Sequence, residues 1–283
     1  LIILIIVIFT AGLGILLYPL VSSIVNNIND RSEARQKQME VEKMDSDRIN
    51  DLFADAESYN SSLTDTVVLT DPFDIDSYEK IGAHYEETFD IDGNGFIGYI
   101  DIPSIDVYLP IYHGTSDEVL KKGAGHLNNT SLPIGGSSTH CVLAGHTGLP
   151  SAKLLTNIDH LKIGDRFYIH VLNEVLEYQI DDISVVEPDE VSRLNVISGK
   201  DCVTLVTCTP YGVNSHRLLV RGARMESGSS GGNQLITIRN EIKNVDLMVV
   251  LPLMLVAISI VVFVFVAVTG KKKSRKDKGD EKK

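Results

Sequence analysis

The chain has 283 residues carrying 38 acidic and 26 basic side chains, a net charge of -12. That balance excludes the positive electrostatic footprint of a nucleic-acid binder. Three cysteines, Cys141, Cys202 and Cys208, are too few and too far apart for a disulfide scaffold or a CxxC-type zinc site.

The first 20 residues contain no charged side chain, the length an α-helix needs to cross ~30 Å of hydrocarbon. Residues 1–22 therefore read as a transmembrane helix or signal anchor. A cleaved signal peptide is the alternative, but its apolar core runs to roughly 7 to 15 residues. A second apolar run fills 246–270 and is followed at once by the tail 271–283, with eight basic and three acidic residues. Excess Lys and Arg beside a membrane helix mark that side as cytoplasmic. Two crossings place the middle of the chain outside the cytoplasm. Residues 21–270 hold 18 basic and 35 acidic residues, a solvated acidic exterior.

Residues 23–90 read as an N-terminal helical segment. The stretch 29–58 is polar and free of Gly and Pro, which predicts a leading helix. Pro72 in Asp71-Pro72-Phe73 breaks any helix there, and Asp76 with Glu79 forms a capping-box pattern that opens a short helix toward Phe89. Next, Asp90, Asp92, Asn94 and Asp101 with Gly95 have the spacing of an EF-hand calcium loop. Position 12 is Asp rather than the bidentate Glu, and the residues after Gly95 read as a strand instead of an exiting helix. No metal site is expected.

From Gly95 the chain becomes short apolar runs separated by Gly and Pro: 96–102, 107–112, 140–146, 166–171, 175–186, 202–208 and 216–224. Seven or eight such strands predict a mainly β fold, a closed or nearly closed barrel over 91–226, with short helical pieces at 116–122 and 152–158. Ser227-Gly-Ser-Ser-Gly-Gly opens a flexible linker, 227–245.

With three thiols, at least one is left free, and a free thiol outside the cytoplasm is the first place to look for chemistry. Cys208 ends an apolar strand and meets Thr209-Pro210-Tyr211-Gly212, a turn at a sheet edge. Cys141 and Cys202 read as buried packing residues, with a disulfide between them open if their strands are neighbours. A thiol with a pKa of about 8.5 needs a base or cation beside it. His146, also at a strand end, is the candidate base. Antiparallel pairing of the last two strands puts Arg217 on the rim beside Cys208, where a guanidinium suits an oxyanion.

Four stretches in order resemble the sortases, specifically the class C or pilin-polymerising sortases: Ile111-Tyr-His-Gly-Thr, Gly125-His-Leu-Asn-Asn-Thr-Ser-Leu-Pro-Ile-Gly-Gly, Ala144-Gly-His-Thr-Gly-Leu-Pro and Thr204-Leu-Val-Thr-Cys-Thr-Pro-Tyr-Gly-Val-Asn-Ser-His-Arg-Leu. The resemblance implies an eight-stranded sortase barrel in which His146, Cys208 and Arg217 fall on the catalytic positions. Many class C members have Arg after the histidine, where this chain has Thr147; that departure touches the rim, not the triad. His126 lies in a matched motif with nothing to link it to catalysis.

The resemblance also implies a lid at 70–75 over the site, with Asp71 paired to Arg217, Pro72 between, and Phe73 covering Cys208. It implies a membrane-anchored transpeptidase without a cofactor. Cys208 would attack the Thr-Gly bond of an LPXTG-like sorting signal on a pilin or surface protein, and a pilin lysine would resolve the thioester. Anchoring of proteins to peptidoglycan, or a non-catalytic membrane-anchored binding module, are the alternatives.

Overall fold

The computed structural model describes residues 8–10, 12–18, 21–22, 36–37, 39–63, 70–73, 83–147 and 154–225. The chain divides into two units, one formed by Leu1–Ser22 with Gly231–Lys283, the other by Ser23–Ser230. In the first, the described residues are helical. Among the described residues no helix is long and apolar enough to cross a membrane. The second apolar run, the linker and the basic tail lie outside them.

In the second unit eight strands close into a barrel: β1 (Phe96–Ile102), β2 (Val107–His113), β3 (Ala124–His126), β4 (Thr139–Ala144), β5 (Arg166–Val171), β6 (Glu174–Val186), β7 (Asp201–Thr209) and β8 (His216–Arg224). Their order around the barrel is β1-β2-β3-β4-β7-β8-β6-β5. Closure leaves no free sheet edge. Six of the eight pairings are antiparallel, while β2 with β3 and β4 with β7 run parallel. A parallel pair needs a crossover rather than a hairpin. One crossover holds the short helix Asp117–Lys122, and the other is the whole β5-β6 hairpin.

Strand alternation sorts the side chains. Leu143 of β4, Val203 and Leu205 of β7, and Val220 of β8 face the barrel interior, packed with Ile100, Ile111 and Phe167. The opposite face of the same strands carries Val142, Val206 and Leu219, which form a second cluster with Leu127, Val186 and Leu194. Among the helices ahead of the barrel are α1 (Ser46–Ser62) and α2 (Ala83–Glu87). Leu52, Ala56 and Tyr59 of α1 pack into the main core with Tyr85 and Phe89. We name the crossover helix Asp117–Lys122 α3.

Two local expectations are revised, one helix is found where it was expected, and one strand is new. The leading helix is interrupted at 42–45, where Asp45 accepts from the Asp47 amide as an N-cap and starts α1 anew, and it runs on to Ser62. The helix proposed toward Phe89 is present from Ala83 to Glu87; 76–82 lie outside the described residues. At 154–160 there is a turn followed by a 3-10 turn, Ile158–His160, because Leu154 sits at φ 40°, outside right-handed helix. Strand β3 spans only three residues, too short to show a period.

The aspartate loop is closed on itself. Asp90 Oδ1 accepts from the amides of Gly93 and Gly95 at 3.0 Å, and Asp92 Oδ2 lies 2.6 Å from Lys37 Nζ.

Candidate active site

The site is built at the ends of β4, β7 and β8. In the antiparallel pair β7-β8, Cys208 stands directly opposite Arg217. In the parallel pair β4-β7, Ala144 is level with Val206. The pairing continues one step further: the Gly145 amide donates to the Val206 carbonyl at 3.0 Å, and Thr207 Oγ1 donates to the Gly145 carbonyl at 2.8 Å. His146 therefore leaves its strand beside Cys208, on the face that also holds Val142 and Val206.

Gly145 is required at that step. A Cβ there would meet Leu155 at 2.7 Å, and the Leu155 amide donates to the His146 carbonyl at 3.2 Å. The close approach of Leu155 thus fixes the backbone that carries His146.

Asp71 and Phe73 reach this rim from the N-terminal segment. Arg217 Nε donates to Asp71 Oδ1 at 2.9 Å and Arg217 Nη2 donates to Asp71 Oδ2 at 2.5 Å, a two-point pair. Arg217 Nη1 donates to the carbonyls of Asn214 and His216 at 3.1 Å each. The guanidinium also lies 5.2 Å from the centre of the Phe73 ring, and that ring is 6.1 Å from the His146 ring. Phe73 packs on the outer cluster of Val142, Val206 and Leu219. Its amide donates to Asp71 Oδ1 at 3.3 Å, and Pro72 between them is buried. Each of the six residues singled out from the sequence, His146, Cys208, Arg217, Asp71, Pro72 and Phe73, belongs to this one rim.

Burial disfavours the charged forms of Cys208 and His146. Cys208 is half-buried, and its thiol pKa is raised by that burial; Arg217 pulls it down and Asp71 pushes it up again. Burial lowers the pKa of His146, with Asp117 opposing and Lys121 adding to the effect. Arg217, held by Asp71, is locked in its charged form.

Asp117, at the start of α3, is a neighbour of His146 that the sequence did not single out; its Oδ1 lies 4.0 Å from His146 Nε2. An acid in the first turn of a helix is ordinarily explained by the helix itself.

The other conspicuous residues are accounted for by packing. His126 is fully buried, with Nδ1 2.6 Å from the Tyr85 hydroxyl and Nε2 2.9 Å from the Ser131 carbonyl, and burial pushes its pKa down to about 3. All three cysteines are free. Cys141 lies opposite Val203, whereas Cys202 lies opposite His140. The two thiols are on neighbouring strands but on opposite faces, so no disulfide joins them. Among the described residues no group of His, Cys, Asp and Glu is placed to hold a metal ion.

A closed eight-stranded barrel with Cys, His and Arg at adjoining strand ends is the architecture of a sortase. The sortase domain family matches residues 100–225. Sortase C-1 from Streptococcus pneumoniae superposes with a TM-score of 0.64 at 44% identity, over 69% of this chain and 98% of that one. A pilus-related sortase C of Group B Streptococcus gives a TM-score of 0.60 at 45% identity, over 70% of this chain and 97% of that one. Sortase A of Streptococcus agalactiae is 34% identical over 116 residues, 40% of this chain and 47% of that protein. The chain thus spans about half the length of the curated relatives it matches. This chain belongs to the sortase family, and it covers the two sortase C structures named above almost completely.

Proposed function

We propose that this protein is a membrane-anchored cysteine transpeptidase that polymerises pilins, its barrel outside the cytoplasm and its basic tail inside. The observation that carries the reading is the cross-strand pair of Cys208 and Arg217, with His146 at the adjoining strand end, in a chain matched over most of its length to sortase C structures. The substrate is an LPXTG-like sorting signal. The Cys208 thiolate adds to the threonine carbonyl carbon, and Arg217 stabilises the resulting oxyanion or orients the signal. The Thr-Gly C-N bond then breaks, and the leaving amine takes its proton from His146. A lysine amine of the next pilin attacks the thioester, gives up a proton to the His146 imidazole left neutral by the first step, forms an isopeptide bond and releases the thiolate. No step calls for a cofactor.

In this reading Asp71, Pro72 and Phe73 form a lid. Arg217 commits both Nε and Nη2 to Asp71, so it becomes free to serve a substrate only after Asp71 leaves. The thiol, with its raised pKa, also loses an unfavourable negative neighbour at that moment.

Cys208→Ala tests the proposal in cells that make the pilus. Loss of the covalent ladder of pilin polymers is expected. A ladder that survives with monomer anchoring also intact would rule out the catalytic role. A ladder retained alongside loss of monomer anchoring would point to peptidoglycan attachment instead.

A further inference from the structure

We propose that Asp117 is a positioning residue for His146, and that Asp117 and its helix neighbour Lys121 set the charge of the imidazole in opposite senses. The inference rests on the reading of His146 as the proton donor and deepens it.

The sequence places α3 firmly. Ser116 caps it, its hydroxyl accepting from the Val119 amide at 3.4 Å, and buried Leu120 anchors it to the barrel. Residues four apart share a helix face, so Asp117 and Lys121 stand together on the outer side. The Asp117 carboxylate divides its two oxygens: Oδ1 lies 4.0 Å from His146 Nε2, and Oδ2 lies 3.3 Å from Lys121 Nζ. The first distance is too long for a hydrogen bond but within ion-pair reach once the imidazole is protonated.

Among the described residues, the remaining groups around His146 do not duplicate this. From the N-terminal segment comes the uncharged ring of Phe73. From β7 comes Cys208, and from β8 comes Arg217, whose charge is met by Asp71. Nε2 is the ring nitrogen within ion-pair reach of the carboxylate.

The reason an acid helps is chemical. Burial disfavours the imidazolium, yet to protonate a leaving amine the ring must first be an imidazolium. A carboxylate on its far side stabilises that cation; an ammonium behind the carboxylate weakens the help. Both side chains are largely exposed, 71% for Asp117 and 60% for Lys121. Solvent screens such pairs, so the effect is graded rather than all-or-none.

The test uses the full chain with Asp117→Asn, Lys121→Met and the double variant. Two readouts are taken against pH: the titration of the His146 ring by NMR, and kcat and KM for cleavage of an LPXTG peptide. Asp117→Asn is expected to move the His146 titration to lower pH and to reduce kcat about twofold to fivefold with KM little changed, the range for an exposed charge pair. Lys121→Met is expected to move both in the opposite direction. Both differences should shrink in 1 M salt, while the thermal midpoint stays where it was. A His146 titration unmoved by either change, or moved the same way by both, overturns the inference. If the titrations separate as expected while no variant cleaves the peptide, the pairing stands and the proposed activity fails.

Discussion

Asp71 and Arg217 lie 146 positions apart in sequence yet form a two-point ion pair, with side chains only 14% and 12% exposed. Bidentate geometry and shielding from water make such a pair stronger than an ordinary surface contact. Because Arg217 is also the cross-strand partner of Cys208, one contact links the N-terminal segment to the charge state of the thiol.

Replacing Asp71 by Ala therefore has an electrical consequence as well as a steric one. Asp71 raises the Cys208 pKa and Arg217 lowers it; without Asp71, the Arg217 effect stands alone and the thiolate forms at lower pH. Alkylation of Cys208 by a small thiol reagent, followed by mass spectrometry, is expected to speed up at neutral pH, because more of the thiol is then ionised. The rate-against-pH curve should shift toward acid. An unshifted curve would mean that Asp71 does not govern the thiol.

Phe73→Ala separates cover from charge. The ring meets the Arg217 guanidinium and packs on the outer apolar cluster, but it carries no charge to act on the thiol. Cys208 alkylation should accelerate at every pH with no shift of the curve along the pH axis. The loosened cation-π contact is worth about 0.5 to 1 kcal/mol. A curve displaced toward acid would show instead that losing the ring also releases Asp71.

How much of this was legible in the sequence depends on how local each relationship is. Cys208 and Arg217 end and begin two strands joined by a short turn, so hairpin logic alone puts them on one rim. His146 meets Cys208 through the parallel pairing of β4 with β7, which a whole hairpin interrupts. No local pattern encodes that pairing, and only the resemblance to sortases supplied it. The contact of Asp71 with Arg217 is longer-ranged still. Leu154 at φ 40° broke an otherwise acceptable helical pattern, since backbone strain leaves no mark on hydrophobic period. Asp117 was hidden because an acid opening a helix already has an ordinary explanation.

A buried polar pair supports the connection between β6 and β7. His140 Nδ1 lies 2.8 Å from the Asn195 carbonyl and Nε2 lies 2.7 Å from Thr204 Oγ1. His140→Ala leaves both partners unsatisfied and opens a cavity, at a cost of about 2 to 4 kcal/mol. Denaturant unfolding should show that loss. Cys202, opposite His140 across the strand pair, is expected to become open to alkylation. Unchanged stability would mean that the pair contributes little.

Acid should unfold the barrel early, and the buried histidines say where. Burial holds His126 down to about 3 and His170 down to about 4, and lowers His113 and His140 as well. An unfolded histidine titrates near 6.5. Between that value and the folded ones the unfolded chain binds more protons, so stability rises with pH and is lost as pH falls below about 6.5. With two shifts this large, the loss by pH 4 is on the order of several kcal/mol. Asp201, whose pKa is raised by burial, acts in the opposite sense near its own range and offsets part of it. Thermal midpoints measured from pH 8 to pH 4 should be level above about 7 and drop steadily below 6.5. His126→Gln and His170→Gln, which remove the titrating rings, should flatten that drop in proportion, provided each variant keeps its fold at pH 8. A drop of the same depth in both variants would assign the acid sensitivity to other groups.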